Sequence, residues 1–290
     1  MGFVPHLLTG LQLGSIYALV ALGYTMVYGI IKLLNFAHGD IIMVGAFVAL
    51  VALNAGLPPI VAIALTIIGC TLLAVIIEKL AYRPLRSAPR ISVLITAIGV
   101  SILLQNLAML IFSADPQSFP VLIPSGSVAV GGLELAYTPL ITILISVISM
   151  AGLTILVRKT KLGKAMRAVS EDTEASQLMG INVNTIITFT FAVGAALAGI
   201  GALLYGAGWP RIEHTLGLRL GLFAFVAAVV GGIGSVPGTM IGGFAIGLLE
   251  AIVIAMGYSG WEDGAVFLVL ILVLMLRPAG IMGRNMMEKV

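Results

Sequence analysis

The side chains best able to do chemistry in this sequence are a few polar groups that interrupt long apolar runs. Glu250 stands inside one such run, Gln105 and Asn106 are neighbours in another, and Asn35 and His38 lie between two more. A buried carboxylate or amide is costly unless it pairs with a partner or meets a polar solute. We therefore take the following residues as candidates for lining a solute path: Gln12, Tyr17, Asn35, His38, Gln105, Asn106 and Glu250.

Each of these candidates also has a purely structural interpretation. Glu250 can pair with a neighbouring helix or stay protonated, and the two amides can hydrogen-bond helices together. His38 can be a hydrogen-bonded loop residue, and Asp40 can cap the helix that follows it. The three histidines lie in separate segments without ligand spacing, so we predict no metal site.

Composition places these groups in a membrane. Of the 290 residues, 60% are hydrophobic and 9% are charged, and the mean hydropathy is +1.17. Soluble domains carry about 25% charged residues, so this chain is too poor in charge to cover a water-facing surface. It contains no GxxxxGK[ST], HExxH or GxSxG motif, which argues against an ATPase domain or an intramembrane enzyme. Any ATP that the protein uses must be bound by another chain.

The apolar runs predict an all-α polytopic membrane protein with about eight to ten transmembrane helices, folded as one domain over residues 1–290. Because several runs are shorter than about 20 residues, we expect some to be tilted, re-entrant or fused. A polar loop is predicted over residues 113–137, and the glycine-rich stretch 231–238 is either a broken helix lining a cavity or a tight loop. The runs cover residues 6–31, 40–53, 60–77, 91–112, 138–157, 185–207, 220–230, 239–256 and 264–276.

The basic residues predict how the chain is oriented. All but two of the 15 lysines and arginines, Arg211 and Arg219, follow the first, third and fifth runs or lie in the C-terminal tail. Basic residues near membrane spans favour the cytoplasmic side. The pattern therefore predicts nine crossings, with the N-terminus outside and the C-terminus in the cytoplasm. It also explains the sequence pI of about 9.1 without binding to nucleic acid.

The loop over residues 158–184 is the longest predicted on the cytoplasmic side. Its sequence favours a short amphipathic helix that Ser170 caps before Glu171 and that Gly180 ends in a left-handed conformation. Such a helix either fits a groove on a partner protein or rests on lipid headgroups. The residues that would make this contact are Arg167, Glu171, Asp172, Glu174, Ala175 and Gly180.

Glu174-Ala175-Ser176, followed by Gly180, resembles the EAA loop of ABC importer permeases, which inserts into a cleft of the ATPase subunit. Further motifs, in the same order along nearly the whole chain, resemble the LivH-type permeases of branched-chain amino-acid importers. These motifs are GSIYAL at 14–19, GYTMVYG at 23–29, NFAHGD at 35–40, AYRPLR at 81–86, RAVSED at 167–172, GGIGS at 231–235 and RPAGIMGR at 277–284.

The resemblance implies a subunit that forms a transport path in the bacterial inner membrane and binds no cofactor itself. Its implied partners are two ATPase chains that use the ATP, a second LivM-like permease, a periplasmic binding protein and membrane lipid. Family members commonly carry a lysine before the pair Ala224-Phe225, where this chain has Phe223. This departure leaves urea or short amides as alternative cargo. An ion-coupled amino-acid carrier, with Glu250 binding the ion, is the other alternative.

Overall fold

The computed structural model describes residues 3–86, 88–130 and 133–283, and it confirms the all-α prediction. Apolar runs of helix-forming residues give α-helices, and turn residues such as Pro58 and Pro89 stand directly before the next helix. The helices are α1 Phe3–Ile31, α2 His38–Asn54, α3 Pro59–Ile77, α4 Arg90–Phe112, α5 Tyr137–Lys159, α6 Lys161–Glu171, α7 Thr173–Leu178, α8 Val183–Gly208, α9 Leu216–Gly231, α10 Val236–Ala255 and α11 Glu262–Leu276.

Irregular and extended segments join these helices. The helical path of α3 continues through a π-helical turn, Glu78–Tyr82, and a 3-10 turn, Arg83–Leu85. The predicted polar loop over residues 113–137 contains short strands that the sequence did not indicate. Here β1 (Gln117–Ser118) pairs with β4 (Arg211–Ile212), and β2 (Ser127–Val130) pairs with β3 (Leu133–Ala136), both antiparallel.

Seven helical segments of the described chain are long and apolar enough to cross a membrane. Two shorter apolar helices, α2 and α9, have 17 and 16 residues. At 1.5 Å per residue, these two are only about 25 Å long, which agrees with the prediction that some runs do not reach full length. The nine apolar helices fall within the predicted range, and the predicted bounds are within a few residues of those observed.

The charges separate along the bundle. At one end, α1, α3 and α5 finish and α4 and α8 begin, and we call this the basic end. It carries the clusters around Arg83 and Arg158 and the loop that holds α6 and α7. Arg284 and Lys289 of the predicted tail cluster lie outside the described residues.

The core of the bundle is built on α1 and α10, which lie antiparallel with their backbones in contact. A Cβ placed on Gly14 would meet the backbone of Gly243 and Phe244, and one placed on Gly247 would meet the backbone of Gly10 and Gly14. Small residues permit this approach where lipid removes the hydrophobic drive for helix association. The Thr25 and Thr239 hydroxyls, 2.6 Å apart, hydrogen-bond across the same interface.

Around this core, α8 and α9 are largely buried, whereas α3, α4, α5 and α11 expose apolar side chains such as Ile60 and Leu110. The glycine-rich stretch after α9 is a tight loop, since Ser235 accepts a hydrogen bond from the Gly238 N–H to cap α10. The Ile281 N–H donates to the Val230 carbonyl and closes the basic end of α9.

The α1–α10 contact predicts the effect of adding bulk at one glycine. Gly247→Val places methyl groups against backbone that has no side chain to move aside, so we expect a loss of about 1–3 kcal/mol in stability. The measurement is the apparent melting temperature of the purified protein in detergent. The matched control is Gly152→Val in α5, where an added Cβ meets nothing within 4 Å. Equal melting temperatures for the two variants would contradict the packing described.

Candidate functional site

The loop at the basic end contains two helices, which corrects the prediction of one. Thr160 caps α6 by accepting a hydrogen bond from the Gly163 N–H at 3.0 Å, and Asp172 caps α7 by accepting from the Ala175 N–H at 2.9 Å. The prediction that Ser170 caps a helix at Glu171 is wrong. Ser170 lies within α6, and its hydroxyl donates to the Arg167 carbonyl. Asp172 is the extended residue between the two helices, so it takes the cap position.

The far end of α7 is closed by Gly180, as the sequence indicated. Gly180 has φ +82°, its N–H donates to the Gln177 carbonyl at 2.9 Å, and the Ile181 N–H donates to the Ser176 carbonyl at 3.0 Å. These are the paired bonds of a Schellman motif, which needs a left-handed residue at this position. A six-residue helix is too short to be stable alone in water, so its two caps hold it in shape.

The two helices differ in how they meet the bundle. Met166 and Val169 of α6 are buried, and Arg167 hydrogen-bonds to the Val157 carbonyl at the end of α5. In α7 only Ser176 is buried, while Leu178 and Met179 are 89% and 83% exposed. Met179 follows α7 as its C-cap residue, so large apolar side chains of these two helices are buried only in α6. The short helix α7 therefore presents two large apolar side chains beside the acids of residues 171–174.

Among the seven path candidates, only Tyr17 and Glu250 hydrogen-bond to each other within the described residues. The Tyr17 hydroxyl lies 3.1 Å and 3.3 Å from the two carboxylate oxygens of Glu250, and each residue is 2% exposed. One shared hydroxyl proton partly satisfies a carboxyl group that is shielded from solvent.

Arg219 brings a cation to the surface beside this pair, and the sequence search missed it. Its guanidinium lies 3.4 Å from Glu262 and 3.2 Å from Asp263, and its side chain is 59% exposed. The guanidinium also lies 5.7 Å from the centre of the Phe223 ring, which stacks on Tyr17. Phe223, which stands where family members commonly carry a lysine, is therefore a buried aromatic ring with the Arg219 guanidinium above it. The signal in the sequence was an arginine far from the basic clusters.

Asn35 and His38 lie in a second region. The Tyr82 hydroxyl donates to the Asn35 side chain at 2.9 Å, and the His38 ring packs edge-on to Tyr24, with centroids 5.0 Å apart. Asn35 and His38 are 1% and 3% exposed. Both are enclosed by neighbouring helices, and His38 is the first residue of α2 and not a loop residue. Within the described residues, His38 Nε2 and Asn35 Nδ2 have no hydrogen-bond partner, so their roles stay predictions.

Gln105 joins α4 to α2. Its amide donates to the Asp40 carboxylate at 3.0 Å, so Asp40 holds two helices together and does not cap α2. The neighbouring Asn106 is exposed and donates to the Ile102 carbonyl of its own helix, so the prediction that it joins helices is wrong. Gln12 is 4% exposed and lies against Gly208.

A polar network at the basic end was also missed. Glu78 is fully buried, forms a salt bridge with Arg86, and accepts a hydrogen bond from Thr188 at 2.8 Å. Arg86 donates to Asn184 at 2.6 Å, which joins the end of α3 to the start of α8. Burial lowers the pKa of the Arg86 guanidinium, although the Glu78 carboxylate acts in the opposite direction. The sequence feature that could have revealed this network is an acid, Glu78, at the end of an apolar run and next to basic residues.

Residues 6–276 match the family described as branched-chain amino acid transport system, permease component. The chain belongs to this permease family. It is 41% identical over 301 residues to the high-affinity branched-chain amino acid transport system permease protein BraD of Pseudomonas aeruginosa, covering 99% of this chain and 98% of that protein. It is 39% identical over 302 residues to the permease protein LivH of Escherichia coli K12, with the same coverage. PsaBC from Streptococcus pneumoniae aligns at a TM-score of 0.49 and 17% identity, over 95% of this chain and 91% of that one.

Membership confirms the LivH-type resemblance carried by the motifs. The permease is a multi-pass membrane protein, as its seven long apolar helices indicate. It is a transport subunit and not an enzyme, in agreement with the prediction from its sequence.

The Tyr17–Glu250 pair gives a prediction about stability. Tyr17→Phe removes the hydroxyl donor from a buried carboxyl group, which we expect to cost about 1–3 kcal/mol. Replacing both groups, as in Tyr17→Phe with Glu250→Met, is expected to recover most of the loss, since no polar group is then left unpaired. The check is thermal unfolding in detergent against Tyr258→Phe, a 60% exposed tyrosine. If Tyr17→Phe unfolds like Tyr258→Phe, the hydrogen bond does not stabilise the fold.

Proposed function

We propose that this permease is the membrane-spanning subunit of an ATP-driven importer of branched-chain amino acids. In this proposal α6 and α7 couple it to a separate ATPase chain. The observation that carries the proposal is the form of α7. It is capped at both ends by Asp172 and Gly180, and it exposes Leu178 and Met179. A short rigid helix with exposed apolar residues is suited to a groove on a partner protein.

The contacts of α6 supply a route for movement. Arg167 and Gly163 contact the carbonyl end of α5, and the loop after Gly180 leads directly into α8. A push on α7 therefore reaches α5 and α8 through packed backbone instead of through a flexible linker. Closure of an ATPase dimer around α7 would in this way reorient the spans.

The partners follow from the same proposal. Two ATPase chains bind and hydrolyse the ATP, so the permease itself needs no cofactor. A second, LivM-like permease completes the path, and a periplasmic binding protein delivers the solute. The assembly lies in the cytoplasmic (inner) membrane of a bacterium. The basic end faces the cytoplasm, with the N-terminus outside and the C-terminus inside, as the positive-inside rule favours.

The charges around Arg219 fit a free amino acid as cargo. Arg219 can meet a carboxylate, and Glu262 or Asp263 can meet an ammonium group. Exposed ion pairs of this kind contribute about 1 kcal/mol or less, so a solute can replace one partner at little cost. The half-buried ring of Phe267, 6.0 Å from the buried Phe223 ring, supplies an apolar group beside them. Urea or a short amide lacks the two opposite charges, so it would form neither of these ion pairs.

An ion-coupled carrier is supported less well. The buried acids Glu78, Asp40 and Glu250 hydrogen-bond to different partners on different helix pairs. An ion relay favours acids that share one pathway. Such a carrier would also leave the exposed surface of α7 without a role.

The coupling proposal is tested by Glu174→Arg combined with Gly180→Asp. This variant reverses a charge on α7 and strains its C-cap, so we expect normal membrane abundance but uptake reduced about tenfold or more, as a loss of about 1.4 kcal/mol in docking produces. The measurement is uptake of labelled leucine into cells expressing the complete transporter.

The matched control is Glu134→Arg with Gly257→Asp, both at the opposite end of the bundle. Glu134 is exposed, and Gly257 has φ +88° and open space around it, so the change in charge and in backbone strain is the same. We expect uptake by this control to be unchanged. Normal uptake by the α7 variant would refute the assignment of α7 as the coupling element.

A further inference from the structure

A cavity of about 450 Å³ opens at the basic end, between the extension of α3 and the start of α8. Lys79 and Arg83 supply two cations from the α3 side. Among the residues that the structure describes, no acid lines the cavity. The lining residues are Lys79, Arg83, Asn182, Asn184, Thr185, Thr188, Phe189 and Ala192.

The acid next to Lys79 in the chain does not pair with either cation. Glu78 lies on the same turn but is fully buried, where it pairs with Arg86 and accepts a hydrogen bond from Thr188. Within the described residues, Lys79 and Arg83 form no salt bridge. Their side chains are exposed. The cavity therefore presents positive charge to its contents, with amide and hydroxyl groups beside it.

The depth of the cavity matches the headgroup layer of a membrane. Lys79 comes 20 residues after Pro59, which places it about 30 Å along α3 and its extension, the thickness of a hydrocarbon core. Ala192 lies nine residues into α8, about 13 Å from the start of that helix. The cavity thus runs from the polar surface toward the apolar side chains Phe189 and Ala192.

We propose that this cavity binds the phosphate headgroup of an anionic phospholipid. Lys79 and Arg83 pair with the phosphate, the Asn184 amide and the Thr185 hydroxyl can donate hydrogen bonds to it, and Phe189 contacts the start of an acyl chain. Basic pockets between transmembrane helices are suited to anionic headgroups. A soluble phosphate ion could bind the same polar groups, but it has no acyl chain to contact Phe189 and Ala192.

The site has a consequence for α7. Asn182 lines the cavity, caps α8 and follows Gly180 by two residues. A lipid bound here would hold the end of α3 and the start of α8 together, beside α7. The inference itself rests on the cavity alone and stands whether or not α7 docks on an ATPase.

The test is native mass spectrometry of the purified, delipidated full-length permease, titrated with phosphatidylglycerol or phosphatidylcholine of the same acyl chains. We expect phosphatidylglycerol to bind more tightly. Lys79→Gln with Arg83→Gln should weaken that binding about fivefold for each charge removed, roughly 25-fold together, because a basic residue near an anionic lipid contributes about 1 kcal/mol.

The control is Arg158→Gln with Lys159→Gln, which removes two exposed basic residues at the same end of the bundle but away from the cavity. It should change binding less than about twofold. Thr185→Trp keeps the charges but fills the cavity, and it should also abolish the preference for phosphatidylglycerol. Equal losses in control and test variants, no effect of Thr185→Trp, displacement by inorganic phosphate, or equal affinity for both lipids would each overturn the proposal.

Discussion

The structure depends on the backbone contact between α1 and α10. Glycines at 10, 14, 243 and 247 let the two helices touch without side chains between them. This approach allows the Tyr17 hydroxyl to reach Glu250 and brings Thr25 to Thr239. Because lipid gives helices no hydrophobic reason to associate, such small-residue and hydrogen-bond contacts decide which helices form the core. The surrounding α8 and α9 then pack on a rigid pair.

Three further buried polar residues are also tied to other parts of the bundle. Inside the bundle, Asp40, Asn35 and Glu78 each have a hydrogen-bond partner on another helix, as burial in a medium without water demands. At its two ends the protein leaves groups exposed. The opposite end carries Arg219 with its acidic partners, and the basic end carries α7 and the cavity beside Lys79. A rigid centre with exposed chemistry at both ends suits a subunit that works between partners.

The helices were predictable because an apolar run of membrane length has few other structures available. Gly180 was predictable as a C-cap because few residues other than glycine adopt φ +82° readily. The division of the loop over residues 158–184 into two helices at Asp172 was not predictable. Ser170 is an equally good cap by residue type, and only the contacts of α6 with α5 decide between them. The Arg219–Glu262 pair joins α9 to α11, which spacing along one chain does not reveal. The Glu78–Arg86 pair lies within the extension of α3, but its hydrogen bonds to Thr188 and Asn184 of α8 are equally invisible in the sequence.

A subunit of an ATP-driven importer must assemble with chains that hydrolyse ATP. The most direct measurement is affinity purification of the tagged chain from its native membrane, followed by assay of ATP hydrolysis in the eluate. We expect co-purification of two ATPase chains and a second permease, with hydrolysis stimulated by a binding protein loaded with leucine, isoleucine or valine. Recovery of the chain alone, with uptake that stops when the ion gradient is dissipated and continues when ATP is depleted, would contradict the proposed function.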